Sequence, residues 1–475
     1  MTRDEIVALD KAHVWHPYTA MDEYLAGDPF VIARAQGAWL EDVDGRRYLD
    51  GNSSWYVAIL GHAHPRLVAA MRRQAEEGLL HCSLAGTTHE PAARLAEELV
   101  AIAPPGLTRV FYTDNGSGSV EVALRMALQT YVQNGAPKKR GALALEGAFH
   151  GDTLGAASVG GLDVFRRVIG DIGVSCVRVP VPDPDAHARA FDALARLLRD
   201  KADETAAIII EPMVQAAAGM RIYDAAFLRE LRALADRHDV MLIADEVFTG
   251  YGRTGPMWAV NHAGIAPDIM CLGKVFSSLL PMGATLASER VFDGFRGTKD
   301  RALYYGHTFC GHPLGAALAR EVLAVYREEK LIERAKEKSL LIERAFARIA
   351  EIPGVARVRH IGMIGAADLT SHSTSSPSPG GGFRSSSGSG TSPAGPVAMS
   401  VPRGSIAGGS GDPSSLKQNY LGKIGWRVYD EARRRGAYLR PLGDTVYVTP
   451  PLTISNEELT QLLGIVEESV RAVLT

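Results

Sequence analysis

From about residue 61 the chain alternates between short apolar runs and stretches whose apolar residues recur every three to four positions. Val110, Phe111 and Tyr112 form one such run. After it Val120, Ala123, Leu124, Ala127, Leu128 and Tyr131 share one side of a predicted helix over 119–131. Residues 206–211 (AAIIIE) precede a predicted helix over 225–238, and further apolar runs follow at 240–246 and 267–274. Apolar strands separated by helices predict an α/β fold with a mostly parallel sheet covered on both faces. Ligands of such sheets bind beyond the carboxyl ends of the strands, and Glu211, Asp245 and Lys274 all fall there. Nearer the start, residues 31–50 read as two short strands about an Asp44-Gly45 turn, while His64-Pro65 and Pro91 mark helix starts. Past 315 the pattern is mostly helical to 350, then extended over 355–369. The last segment opens with Ser455 and Glu458 in capping-box spacing, followed by Leu459, Leu462, Leu463, Val466 and Val470 at helical intervals.

Composition changes this picture in one place. Gly (49) and Pro (25) are abundant for 475 residues, and much of the excess sits in 371–415, where 31 of 45 positions are Ser, Gly or Pro. Such a stretch buries too little apolar surface to offset its ordering entropy, so it reads as a flexible insertion. Elsewhere 46% hydrophobic and 22% charged residues are ordinary for a globular protein. A net charge of −3 offers no basic excess for nucleic acid or an anionic membrane. No run of apolar residues is long enough to span a bilayer, and the N-terminus has no signal-peptide pattern. Cys82, Cys176, Cys271 and Cys310 are scattered without metal or redox spacing, so no metal is expected and a cytoplasmic setting is.

Three constellations could carry chemistry. Residues 113–131 (TDNGSGSVEVALRMALQTY) run from a strand end through a glycine-rich turn into a helix. The N–H groups of Gly116, Ser117 and Gly118 with the helix dipole suit an anion such as phosphate, although a plain turn has the same spacing. Asp245 ends an apolar strand, where a carboxylate needs a cap, an ion pair or a cationic ligand group. Lys274 ends another, where burial would lower the pKa of its amine as Schiff-base chemistry requires. A phosphate cradle, an anion for a pyridinium nitrogen and a reactive lysine together meet the needs of pyridoxal 5′-phosphate.

With these residues in place, the chain resembles the class III, fold type I aminotransferases. The likeness runs from about 10 to 370 and from about 420 to the end. It is carried by WHPYT (15–19), DGNSSWY (50–56), GHAHP (61–65), AFHGDT (148–153), EPMVQ (211–215), TGYGRTG (249–255), GHTFCGHPLG (306–315) and LRPLG (439–443). The resemblance implies a large cofactor domain over 61–329. A smaller α+β domain would be built from 1–60 and 330–475, interrupted by 371–415. It implies that Lys274 holds the cofactor and moves the proton, that Asp245 pairs with the ring nitrogen, and that Phe149 stacks on the ring. Gly116 and Ser117 would bind the phosphate, joined by His307 and Thr308 across the interface of a homodimer. Tyr18, Trp55, Phe149, Lys274 and Gly306 would line the substrate pocket, and Arg440 would bind a substrate carboxylate. Glu211 and Arg253 would stand behind the site or form a structural ion pair.

WHPYT, DGNSSWY and LRPLG point within the family to its biotin-biosynthesis branch. That branch implies transfer from S-adenosylmethionine to 8-amino-7-oxononanoate. Lysine as donor, or a general ω-aminotransferase, stays open. Three departures bear on this choice: Phe149 stands where the branch usually has Tyr, Ser278-Leu279 replace two glycines, and the glycine-rich loop reads VQAAAG. Deleting 372–414 is expected to leave activity and melting temperature nearly unchanged; a large loss of either would show the segment to be structural or functional.

Overall fold

The computed structural model describes residues 1–78, 83–170, 172–183, 186–370 and 421–475, so the expected insertion at 371–415 lies outside the described residues. A seven-stranded sheet forms the centre. Its order is Leu107–Thr113, Gly283–Ser288, Ile269–Leu272, Met241–Asp245, Thr205–Ile210, Gly141–Leu145, Cys176–Val179. Gly283–Ser288 runs antiparallel to both neighbours and the other adjacent pairs are parallel, so six strands point one way.

Every residue of Thr205–Ile210, Met241–Asp245 and Ile269–Leu272 is buried, because helices cover both faces. Alternate side chains enter opposite layers, as the pleat demands. Ala207, Ile209, Met241 and Ile243 pack with the helix Gly116–Gln133. Ile208, Ile210 and Leu242 pack with His187–Lys201 and Ala225–Arg237. The predicted helix after the glycine-rich turn therefore exists, but it begins at Gly116, three residues before the expected start at 119. Asn115 explains the early start: its Oδ1 accepts the Gly118 N–H at 2.9 Å as an N-cap.

The two ends of the chain meet in a second sheet. Residues 31–50 form three strands where two were predicted: Ile32–Gln36, Trp39–Asp42 and Arg47–Asp50. The last of these pairs in parallel with Ala437–Tyr438. The extended stretch 355–369 is a hairpin, Val355–Ile361 and Ile364–Leu369, whose second strand pairs with Thr445–Val448. The helical stretch before it breaks at Lys330, which has a left-handed backbone, into Pro313–Glu328 and Leu331–Ile349. No helix among the described residues is long and apolar enough to cross a membrane.

The final helix, Asn456–Leu474, buries Leu459, Leu462, Leu463, Val466 and Val470. Its capping box is formed: Ser455 Oγ accepts the Glu458 N–H at 3.1 Å, and Glu458 Oε2 accepts the Ser455 N–H at 3.0 Å. Ser455→Ala is expected to lower stability by about 1 kcal/mol, read as an earlier urea midpoint. An unchanged midpoint would mean that packing alone sets this helix end.

Candidate active site

Four strands pointing the same way deliver the site. Thr113 ends one and leads into the Gly116–Ser117 turn; Glu211 follows Ile210; Asp245 ends its strand; Lys274 follows Leu272 by two residues. All four therefore reach one edge of the sheet. They border a cavity of about 270 Å³. Tyr18, Trp55, Tyr56, Asn115, Phe149, His150, Gly151, Asp152, Phe165, Ala216, Ala217, Val247, Phe248 and Leu442 complete its wall.

Close approach explains two of the glycines. A Cβ on Gly273 would lie 2.8 Å from Gly116 Cα, so the Lys274 turn can rest on the anion turn only without one. A Cβ on Gly151 would lie 2.2 Å from Ser117 Oγ, so the segment after Phe149 and His150 closes on the same turn. Asp152 N–H then donates to Ser117 Oγ at 3.3 Å. Of the three N–H groups expected at the anion site, Gly118 is occupied by Asn115. Gly116 and Ser117 keep theirs, since the first turn of a helix has no intrahelical acceptors.

Asp245 is 4% exposed. Its Oδ2 lies 2.8 Å from His150 Nδ1, and its Oδ1 accepts the Val247 N–H at 3.1 Å. His150 is thus an orienting residue for the carboxylate, as its packed setting suggests, and its Nε2 is buried without a partner. Burial pushes the Lys274 amine below the usual lysine range, and the carboxylates of Asp245, Glu211 and Asp152 push it partly back. The amine lies 5.5 Å from the centre of the Tyr56 ring and 5.9 Å from that of Phe248.

Burial also pushes Glu211 up to about 7, opposed by His150 and reinforced by Asp245. Its two oxygens tie opposite walls together, accepting the Phe149 N–H at 3.0 Å and the Ala216 N–H at 3.2 Å. Arg253 is not its partner. That guanidinium is buried, donates to the Pro450 carbonyl at 2.8 Å and makes no ion pair among the described residues. Burial lowers its pKa to about 10.

The remaining expected residues divide. Tyr18, Trp55 and Phe149 line the cavity. Arg440 lies 4.0 Å over the Trp55 ring, outside the lining itself. Gly306 and Thr308 are exposed and outside it too. His307 Nδ1 is 2.8 Å from Asp114 Oδ2, beside the anion turn. These two and Cys310 bring ligand-type atoms within 4.8 Å of one another. Ser278 and Leu279 do not line the cavity, whereas Ala216 and Ala217 of the altered loop do. Sequence reasoning missed Phe165, which packs edge-on against Phe149 (5.4 Å) and Tyr18 (5.5 Å). It also missed Asp152, which accepts the Tyr18 hydroxyl. Asp152 was in view within AFHGDT; nothing in the local pattern marks Phe165.

The donor set fits pyridoxal 5′-phosphate. Two N–H groups and a hydroxyl suit a phosphate, a held carboxylate suits a cationic ring nitrogen, and Phe149 and Val247 offer apolar walls for a flat ring.

Comparison with known proteins agrees. The profile of the family described as aminotransferase class-III matches residues 24–470. A protein of Geobacter sulfurreducens named adenosylmethionine-8-amino-7-oxononanoate aminotransferase is 36% identical, over 98% of this chain and 97% of its own. One of the same name from Synechococcus elongatus is 38% identical, over 96% and 98%. The crystal structure of the enzyme of that name from Methanocaldococcus jannaschii superposes with a TM-score of 0.86 at 29% identity, covering 99% of both chains.

Glu246, beside Asp245 but outside the cavity lining, gives a pH test of the buried charge. Burial raises its carboxyl from an ordinary 4.5 to about 7, against hydrogen bonds from Thr249 Oγ1 and the Val260 N–H. Between those values the native state binds the proton and the unfolded chain does not, so stability falls as pH rises. Glu246→Gln is expected to raise the melting temperature relative to the parent above about pH 7, with the gap closing toward pH 4.5. A gap independent of pH would contradict the shift.

Proposed function

The chain belongs to the class-III aminotransferase family. On that premise we propose that it transfers the amino group of S-adenosylmethionine to 8-amino-7-oxononanoate, giving 7,8-diaminononanoate in biotin biosynthesis. The observation that carries the chemistry is the half-buried Lys274, whose amine opens on the same cavity as Asp245 and the Gly116–Ser117 turn. The relatives' shared name, over nearly the full length of the chain, supports the substrates.

Aminotransferases of this family use pyridoxal 5′-phosphate, which when bound supplies the electron sink that acidifies a substrate's Cα–H. The protein's own residues do the rest. Lys274 would hold the cofactor, and its amine, once free, would take the Cα proton and return it to the acceptor atom. Burial lowers the pKa of that amine, which favours its neutral, basic form. Asp245 would keep the ring nitrogen protonated, and its hydrogen bonds to His150 and Val247 fix it for that purpose. Gly116 and Ser117 would bind the phosphate. Phe149 would stack on the ring, its backbone held by Glu211. Phe149, Phe165, Phe248, Tyr56 and Val247 exclude water, which strengthens these charge interactions.

Tyr18 and Trp55 would contact both substrates in turn. Arg440, stacked on Trp55, would receive the oxononanoate carboxylate. We read 61–329 as the large domain and the two chain ends as the small one. Gly306, His307 and Thr308 would serve the partner's site in a homodimer working in the cytoplasm. In support, Thr308 is exposed beside Phe309 (61% exposed) and Tyr304 (72%), large apolar side chains that a second copy would cover.

Lys274→Ala is expected to abolish turnover while the chain still folds. Cofactor-loaded parent enzyme is expected to lose its visible absorbance in a single turnover with S-adenosylmethionine, and not with 4-aminobutyrate. Bleaching by lysine alone would move the donor assignment to lysine. Undiminished turnover of the Lys274 variant would end the catalytic assignment.

A further inference from the structure

Residues Ser53, Ser54, Trp55 and Tyr56 have φ values of 49, 45, 62 and 76°. Four consecutive side-chain-bearing residues in the left-handed region form a turn that is strained for L residues, even though the Tyr56 N–H donates to the Asn52 carbonyl at 3.0 Å. Something must hold it, and the structure points to Asp50. That carboxylate is fully buried at the end of the strand Arg47–Asp50. Its Oδ1 accepts the Asn52 N–H at 3.0 Å and its Oδ2 the Ser54 N–H at 2.6 Å. His62 Nε2 stands 2.9 Å from Oδ2 and fixes the carboxylate from the other side. Ser53 Oγ donates to the Thr449 carbonyl at 2.6 Å and anchors the first residue of the turn.

What the turn carries is the pocket. Trp55 is a cavity wall and the platform under Arg440 at 4.0 Å. Tyr56 is hydrogen-bonded to Tyr447 at 2.8 Å, and its ring centre is 5.5 Å from the Lys274 amine. We propose that Asp50, locked by His62, is a positioning residue for substrate recognition: it holds the left-handed turn that sets Trp55, and through Trp55 the guanidinium of Arg440. Neither Asp50 nor His62 lines the cavity. The proposal rests on the substrate roles given above to Trp55 and Arg440.

The test pairs Asp50→Asn with Ser54→Gly, since glycine adopts positive φ without strain. Asp50→Asn is expected to raise the KM for 8-amino-7-oxononanoate roughly tenfold or more, while cofactor content holds and kcat falls less than about threefold. Adding Ser54→Gly is expected to return that KM to within about threefold of the parent. His62→Gln, a milder disturbance of the same carboxylate, is expected to shift KM in the same direction by less.

Melting of the cofactor-free proteins supplies a readout independent of turnover: the loss caused by Asp50→Asn should shrink when Ser54 is glycine. An unchanged KM in Asp50→Asn, or KM and melting losses that Ser54→Gly leaves intact, would overturn the proposal. If the parent showed no turnover of this acceptor, the substrate assignment would fall. The melting comparison would then decide the clamp, rescue supporting it and additivity rejecting it.

Discussion

Placing the amine of Lys274 away from water is the constraint to which the surrounding structure answers. A buried ammonium is costly to desolvate, so the group is held below its ordinary pKa and the nearby carboxylates limit how far it falls. Those carboxylates must in turn be held. Asp245 is fixed by His150 and the Val247 N–H, and Glu211 by the N–H groups of Phe149 and Ala216. The cavity walls are thus attached to the same charges that offset the amine. Reactivity and pocket shape share one set of hydrogen bonds.

The sheet makes this arrangement possible. Six strands point the same way, so residues far apart in sequence emerge at one edge. Burial of the three central strands on both faces fixes the register, because a slip of one residue would exchange the two apolar layers. The turns at that edge lie close enough together that Gly273 and Gly116 touch backbone to backbone. Beyond the sheet, the left-handed turn at 53–56 carries Trp55 and Tyr56 to the cavity from the segment where the chain ends meet.

Much of this was legible in advance, for identifiable reasons. Strands buried on both faces read as continuous apolar runs, so 206–211, 240–246 and 267–274 stood out, and so did the polar residues ending them. Gly283–Ser288 passed unnoticed because GATLAS has small residues and no long apolar run. The helix Arg3–His13 buries no residue, and its few apolar residues, Ile6, Val7 and Leu9, did not stand out as a helix face. Its polar capping box at Thr2 and Glu5 was the available cue. In the site, Lys274, Asp245 and Gly116–Ser117 were visible because each breaks a local rule. Phe165 breaks none: it reaches the cavity through tertiary packing alone. The role of Arg253 stayed open between two readings, since a buried arginine can be satisfied by carbonyls and need not meet a carboxylate.

The central claim is that Lys274 is the amine on which the whole constellation converges. Reduction of the cofactor-loaded protein with borohydride, followed by peptide mapping, tests it directly. The account predicts a single modified peptide with the cofactor attached at Lys274. Attachment at any other lysine, or none after the visible absorbance is established, would contradict it.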